Sequence, residues 1–156
     1  MRIRAATTAD ISTLALIWLA GWHRGHASLV PEALEKLRTL ESFTERLIEH
    51  LPQILCAEND TGITGFVITR DAELYQLFVS KAAQGTGAAQ ALILAAEAVI
   101  RANGHPEAYL DCIPENTRAR AFYRKMGWVE SGIEPSILDT SEGAFSLDCM
   151  IFRKRL

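Results

Sequence analysis

The stretch AQGTGAAQA, Ala83 to Ala91, sets Gly85 and Gly87 directly before a run of small, helix-favouring residues. The first turn of a helix leaves backbone N–H groups without internal partners, and the helix dipole adds partial positive charge there. Glycines let an anion come close, because no Cβ stands in the way. Phosphate or pyrophosphate binding is the chemistry such a segment suits. Three readings compete. A nucleoside-triphosphate loop needs G-x-x-x-x-G-K-[ST], which the chain lacks. A dinucleotide fold needs G-x-G-x-x-G and an acid at the end of the next strand. Gly85, Gly87 and Asp111 fit that pattern, but Gln90 occupies the third glycine position and Lys81-Ala82-Ala83 lengthens the turn. The third reading is a tight turn without a ligand.

Other chemistries find less support. Cys56, Cys112 and Cys149 lie in separate apolar runs with no C-x-x-C, and read as buried, reduced thiols of a cytosolic protein. His23 and His26 form an i, i+3 pair without a carboxylate, a poor metal signature, so no metal is expected. Sixteen basic against nineteen acidic residues give a net charge of -3, too mild for nucleic-acid binding as the main task. The apolar run Leu14 to Trp22 is too short to span a bilayer. Asp10 before it and His23 and Arg24 after it do not fit a signal peptide. At 156 residues, 49% apolar and 22% charged, the chain is expected to be one cytoplasmic globular domain, 1–156, with no membrane partner.

The elements that must position the glycine segment follow from periodicity. Arg2 to Ala5 reads as a strand. Thr7 caps a helix, with Asp10 three residues on and Ile11, Leu14, Ile17 and Trp18 at helical spacing. Pro31 opens a short helix, and another runs from about Glu41 to His50. Gln53–Glu58 and Ile63–Thr69 form a hairpin around Asn59-Asp60-Thr61-Gly62. Glu73–Val79 is a strand, Ala88–Ala102 a helix, Ala108–Ile113 a strand and Asn116–Met126 a helix closed by Gly127. Trp128–Ile133 and Phe145–Phe152 are final strands joined by a polar loop. This order implies an α/β sandwich around a mixed sheet.

The segment NTRARAFYRKMGW, Asn116 to Trp128, has the form N-x-x-A-x-x-F-Y-x-K-x-G-aromatic. Gln84, Gly87 and Ala89, some thirty residues earlier, give Q-x-x-G-x-A. The two motifs in this order resemble the GNAT superfamily of N-acetyltransferases. The opening RIRAATTADISTL is similar to that family's first strand and helix. The resemblance implies a three-layer sandwich with a mixed, mostly antiparallel central sheet, and acetyl-CoA as the acyl donor. It implies that Gln84, Gly85, Thr86, Gly87, Ala88 and Ala89 wrap the coenzyme's pyrophosphate with backbone N–H groups. Leu77, Phe78 and Val79 would pair with the pantetheine arm, and Asn116 would contact that arm. The pattern departs from the commonest form at Gln84, Ala89 and Trp128.

Acetyl transfer to an amine needs a base for the amine, a donor for the carbonyl oxygen, proximity, and an acid for the leaving thiolate. With the motif, Tyr123 becomes the candidate acid. It sits off the stripe Ala119-Phe122-Met126, which leaves its hydroxyl free to reach a cleft. A backbone N–H near Val79 is the expected oxyanion donor. Glu73 shares a strand face with Tyr75, Leu77 and Val79 on simple alternation. It is either a base carboxylate or a solvated residue at a strand start. Asp111, His23 and His26 are alternative bases. WHRGHASLVP resembles an acceptor-side pattern of some members, which would place Trp22, His23 and His26 near the substrate; core packing and surface exposure are the other readings. The expected activity is direct acetyl transfer, in a ternary complex, to a small amine or a peptide amino group. The alternatives are a non-catalytic acyl-CoA sensor and a nucleotide-dependent enzyme. The apolar final strand could support a homodimer.

Overall fold

Seven strands form one sheet in the order β1-β2-β3-β4-β5-β7-β6 in the computed structural model, which describes residues Met1–Leu156. Along the chain these are β1 (Arg2–Ala5), β2 (Ile54–Asn59), β3 (Gly62–Arg70), β4 (Glu73–Val79), β5 (Glu107–Cys112), β6 (Val129–Thr140) and β7 (Gly143–Arg155). The helices are α1 (Ile11–Gly25), α2 (Glu32–Glu35), α3 (Leu40–Glu49), α4 (Ala88–Ala102) and α5 (Thr117–Lys125). Only β4 and β5 run parallel; every other neighbouring pair is antiparallel. The result is the mixed, mostly antiparallel three-layer sandwich expected.

The two faces of the sheet bury different residues because strand side chains alternate. Ala57, Val67, Leu74, Leu110 and Phe152 face α4, whose Leu92, Ile93, Ala96 and Ile100 recur at helical spacing; α5 packs on the same face. Ile54, Cys56, Phe66 and Ile68 face α1 and α3, where Trp18 stacks on Phe43 at 4.7 Å between ring centroids. Local signals set the helix ends. The Thr7 N–H donates to Asp10 Oδ2 at 2.8 Å, and the Thr39 hydroxyl accepts from the Ser42 N–H at 3.1 Å. Arg4 holds the same Asp10 at 2.8 Å, tying α1 to β1, and its hydrogen bonds keep that carboxyl down at about 2. Lys154 ion-pairs with Glu97 of α4 and donates to the Met126 carbonyl after α5, so β7 fixes both helices.

Most expected boundaries agree to within a residue. The main difference is the last hairpin. The segment expected as a polar loop between β6 and β7 is strand up to Thr140, and the chain resumes as strand at Gly143. This part of β6 is largely exposed, so it lacks a buried alternation to read, and it is an edge strand, where Pro135 costs no ladder bond. The final strand β7 is paired on both sides from Met150 to Arg153, whereas Gly143–Cys149 pairs with β6 alone; β1 and β6 are the outer strands of the sheet. No helix is long and apolar enough to cross a membrane. All three cysteines are free and buried.

Gly65 of β3 allows a close approach. A Cβ there would meet the Phe78 carbonyl oxygen and Val79 Cγ1 at 2.8 Å each, with Leu92 Cδ1 at 3.1 Å. Gly65→Ala is therefore expected to destabilise the fold by about 2 kcal/mol, because backbone oxygen cannot step aside cheaply. Urea denaturation checks this; an unchanged midpoint would show that the strands relax freely.

Candidate functional site

A cleft of about 840 Å³ opens between β4 and β5. The two strands bridge only at Glu73 and Tyr109, then diverge toward their C-terminal ends. The cause lies in β4. Gln76 pairs with Ile68 and Leu74 with Thr69, so Tyr75 is an extra residue, a bulge that bends and twists the strand away from β5. The helix after each strand, α4 and α5, starts beside the opening. The gap between parallel strands is a natural ligand site.

Antiparallel ladders alternate bonded and non-bonded pairs. The Ser80 N–H donates to the Thr64 carbonyl at 2.8 Å, so Phe78 bonds back to β3 while Leu77 and Val79 turn their backbone groups toward the cleft. Phe78, expected to pair with the arm through its backbone, has its backbone turned to β3 and its ring packed against Trp18 and Phe66. Arg24 of α1 already holds the Val79 carbonyl at 3.0 Å, leaving the Val79 N–H free as a donor.

The glycine segment has the geometry of an anion cradle. Gly85 and Gly87 adopt φ of 79° and 88°, the left-handed region that suits glycine. The N–H groups of Gly85, Gly87, Ala88 and Ala89 find no acceptor in the chain, nor does that of Gln90, which the motif did not include. Two of the expected donors are already engaged: the Gln84 N–H bonds Lys81 and the Thr86 N–H bonds Ala83, closing a short 3-10 turn. A pyrophosphate fits the donors that remain.

Side chains reach the gap from both faces of the sheet. From the α4–α5 face comes Tyr123, packed against Phe152 at 5.6 Å and making no hydrogen bond through its hydroxyl. Burial, and after it the nearby Cys112, holds the phenol well above its ordinary pKa, so it stays protonated. Cys112 also lines the cleft, a neighbour the motifs did not mark because it lies outside both. Burial pushes its thiol up to about 12. Asn116 caps α5 by accepting from the Ala119 N–H at 3.2 Å, and its amide nitrogen makes no bond within the chain.

From the opposite face come Asp111, Tyr75 and His26. Burial raises the Asp111 carboxyl above its ordinary value, offset in part by the Ser136 hydroxyl and the Arg70 charge. Burial first, then Arg38, lowers His26 to about 4; it is neutral near pH 7 and stacks on Trp22 at 6.2 Å. Trp22 itself is core, and His23 is exposed and outside the cleft. Glu73 also lies outside the cleft lining, at the closed end of the strand pair, where Arg70 holds it at 2.8 Å. Burial raises it, against the pull of Arg70. The bulge breaks the expected shared face: Leu77 and Val79 pack toward α4, whereas Tyr75 packs toward α1 and α3, the side of the Arg70–Glu73 pair.

A sheet split between two parallel strands, with an amide cradle at the following helix, defines a class of acyl-carrier enzyme fold. The chain belongs to the acetyltransferase (GNAT) family, whose model matches residues 18–128. An uncharacterized N-acetyltransferase of Mycobacterium tuberculosis is 33% identical over 111 residues, covering 68% of this chain and 69% of that protein. Among solved structures, a GCN5-related N-acetyltransferase from Rhodopseudomonas palustris is similar, with TM-score 0.78, 21% identity, and coverage of 99% of this chain and 95% of that one. The PaiA N-acetyltransferase of Thermoplasma acidophilum, in complex with coenzyme A, gives 0.75 and 22%, covering 99% and 98% of the two chains.

Proposed function

We propose that the protein transfers an acetyl group from acetyl-CoA to an amine by direct attack within a ternary complex. The observation that carries this reading is the set of orphan N–H groups of Gly85, Gly87, Ala88, Ala89 and Gln90, beside a strand whose Leu77 and Val79 N–H groups face the cleft. Acetyl-CoA supplies the activated thioester. The cradle would hold its pyrophosphate, and β4 would take its pantetheine arm as an added strand.

Asp111 takes the proton of the incoming ammonium, since an amine attacks only through its free lone pair. A carboxyl raised by burial is the better base for this. The Val79 N–H stabilises negative charge on the thioester oxygen. Tyr123 gives its proton to the departing thiolate as the C–S bond breaks. Glu73, outside the cleft lining and paired with Arg70, does not touch the amine. Cys112 is no nucleophile, because a thiol held near 12 is protonated at neutral pH.

Thiol release from acetyl-CoA over a panel of amines tests the reading. Tyr123→Phe is expected to lower kcat about 100-fold with coenzyme A affinity unchanged. Equal turnover would remove the acid role. A wild-type protein that binds coenzyme A but releases no thiol with any amine would favour a sensor instead.

A further inference from the structure

Three arginines converge behind Tyr75 on the α1–α3 side of the cleft. Arg70 is neutralised, with Glu73 and Asp139 each at 2.8 Å. Arg38, in the turn between α2 and α3, and Arg46, in the last turn of α3, are both more than nine-tenths buried. Neither forms an ion pair with any carboxylate. Arg46 donates to the Tyr75 hydroxyl at 2.7 Å and lies over the Trp18 ring at 4.5 Å, and its buried Nε has no partner. Arg38 makes one bond, to the backbone carbonyl of Asp139. The Asp139 carboxylate is already shared by Arg70 and the Tyr75 hydroxyl, each at 2.8 Å.

Three cations therefore face two carboxylates, and both of those serve Arg70. A buried guanidinium without a counter-anion is among the costliest arrangements a fold can keep. Burial, and next the Arg46 charge, holds Arg38 down at about 10, with Tyr75 and Asp139 offsetting only part of the effect. Neither guanidinium lines the cleft itself, but each adjoins a residue that does. Tyr75 and His26 both line the cleft, Arg46 bonds Tyr75, and His26 feels the Arg38 charge.

We propose that the acceptor is an amine that also carries an anionic oxygen group, a carboxylate or a phosphate, which docks on Arg38 and Arg46 while the nitrogen faces Asp111. This rests on the acetyl-transfer reading and adds the acceptor's class to it. A planar guanidinium pair suits such anions, and the excess positive charge rejects polyamines.

The test is thiol release with matched probes: amino acids against their carboxamides and decarboxylated amines, and phosphoethanolamine against ethanolamine. The anionic member of a set is expected to show a KM at least about tenfold lower, the scale of one charge-assisted contact. Preference for the amino acids identifies a carboxylate, and preference for phosphoethanolamine a phosphate. Arg38→Gln should raise that KM about tenfold with little change in kcat, and Arg38→Lys should restore part of it. Arg46→Gln should do the same; Arg38 carries the test if loss of the Trp18 contact unfolds that variant. Carboxamides or polyamines that react as well as the acids would overturn the proposal while leaving acetyl transfer intact. So would an enzyme that binds coenzyme A and acetylates none of the anionic probes. Calorimetry with coenzyme A alone separates the two failures: absence of binding there overturns the acetyl-transfer reading, and this one with it.

Discussion

Gly87→Asp is expected to weaken coenzyme A binding on the order of a thousandfold while the chain stays folded, because like charge in an anion site costs several kcal/mol. Gly87 has φ of 88°, and a Cβ built there meets nothing within 4 Å. The new side chain therefore clashes with no part of the protein, and aspartate tolerates the left-handed region better than most residues. It would, however, set a carboxylate among the N–H groups of Gly85, Ala88 and Ala89, where the pyrophosphate belongs. Gly87→Asn is the control: nearly the same shape and strain without the charge, and a much smaller loss. Titration calorimetry with coenzyme A reads both. Equal affinity in the two variants would mean that bulk, not charge, matters; normal affinity in both would place the phosphates elsewhere.

The second large effect is expected at Asp111. Asp111→Asn should lower kcat/KM about a thousandfold, within the usual range for loss of a general base. The sign of its pH dependence is defined. Asp111 has a raised pKa. It is protonated and idle at low pH, and activity climbs as pH rises through that value. Asparagine should abolish this acidic limb. Tyr123, held above its ordinary pKa, should contribute no alkaline limb until well past neutrality. Glu73→Gln should leave the acidic limb in place and cost far less activity, since Glu73 lies outside the cleft lining. A flat profile in Glu73→Gln with a normal limb in Asp111→Asn would exchange the two roles.

The helix starts beside the cleft were legible in the sequence, and their reasons are local. Gly85 and Gly87 before an alanine-rich amphipathic run define the start of α4, and Asn116 announces the cap of α5. The proposed acceptor side was not legible, because it is built from distant segments. Arg38, Arg46, Tyr75 and Asp139 come from the turn before α3, from α3, from β4 and from β6. No spacing links them. The bulge at Tyr75 was equally hidden: nothing in Leu74-Tyr75-Gln76 marks an extra residue, yet it reverses the alternation and moves Glu73 off the face of Leu77 and Val79. Trp22 and His23 misled for the opposite reason. They sit close to His26 in sequence, but the helical turn sends one into the core and the other to solvent.

A crystal structure with bound coenzyme A tests the central claim most directly. The account predicts pyrophosphate oxygens within hydrogen-bond reach of the Gly85, Gly87, Ala88 and Ala89 N–H groups, pantetheine along Leu77 and Val79, and the sulfur beside the Tyr123 hydroxyl. Phosphates bound away from the start of α4, or a thiol turned from Tyr123, would contradict it.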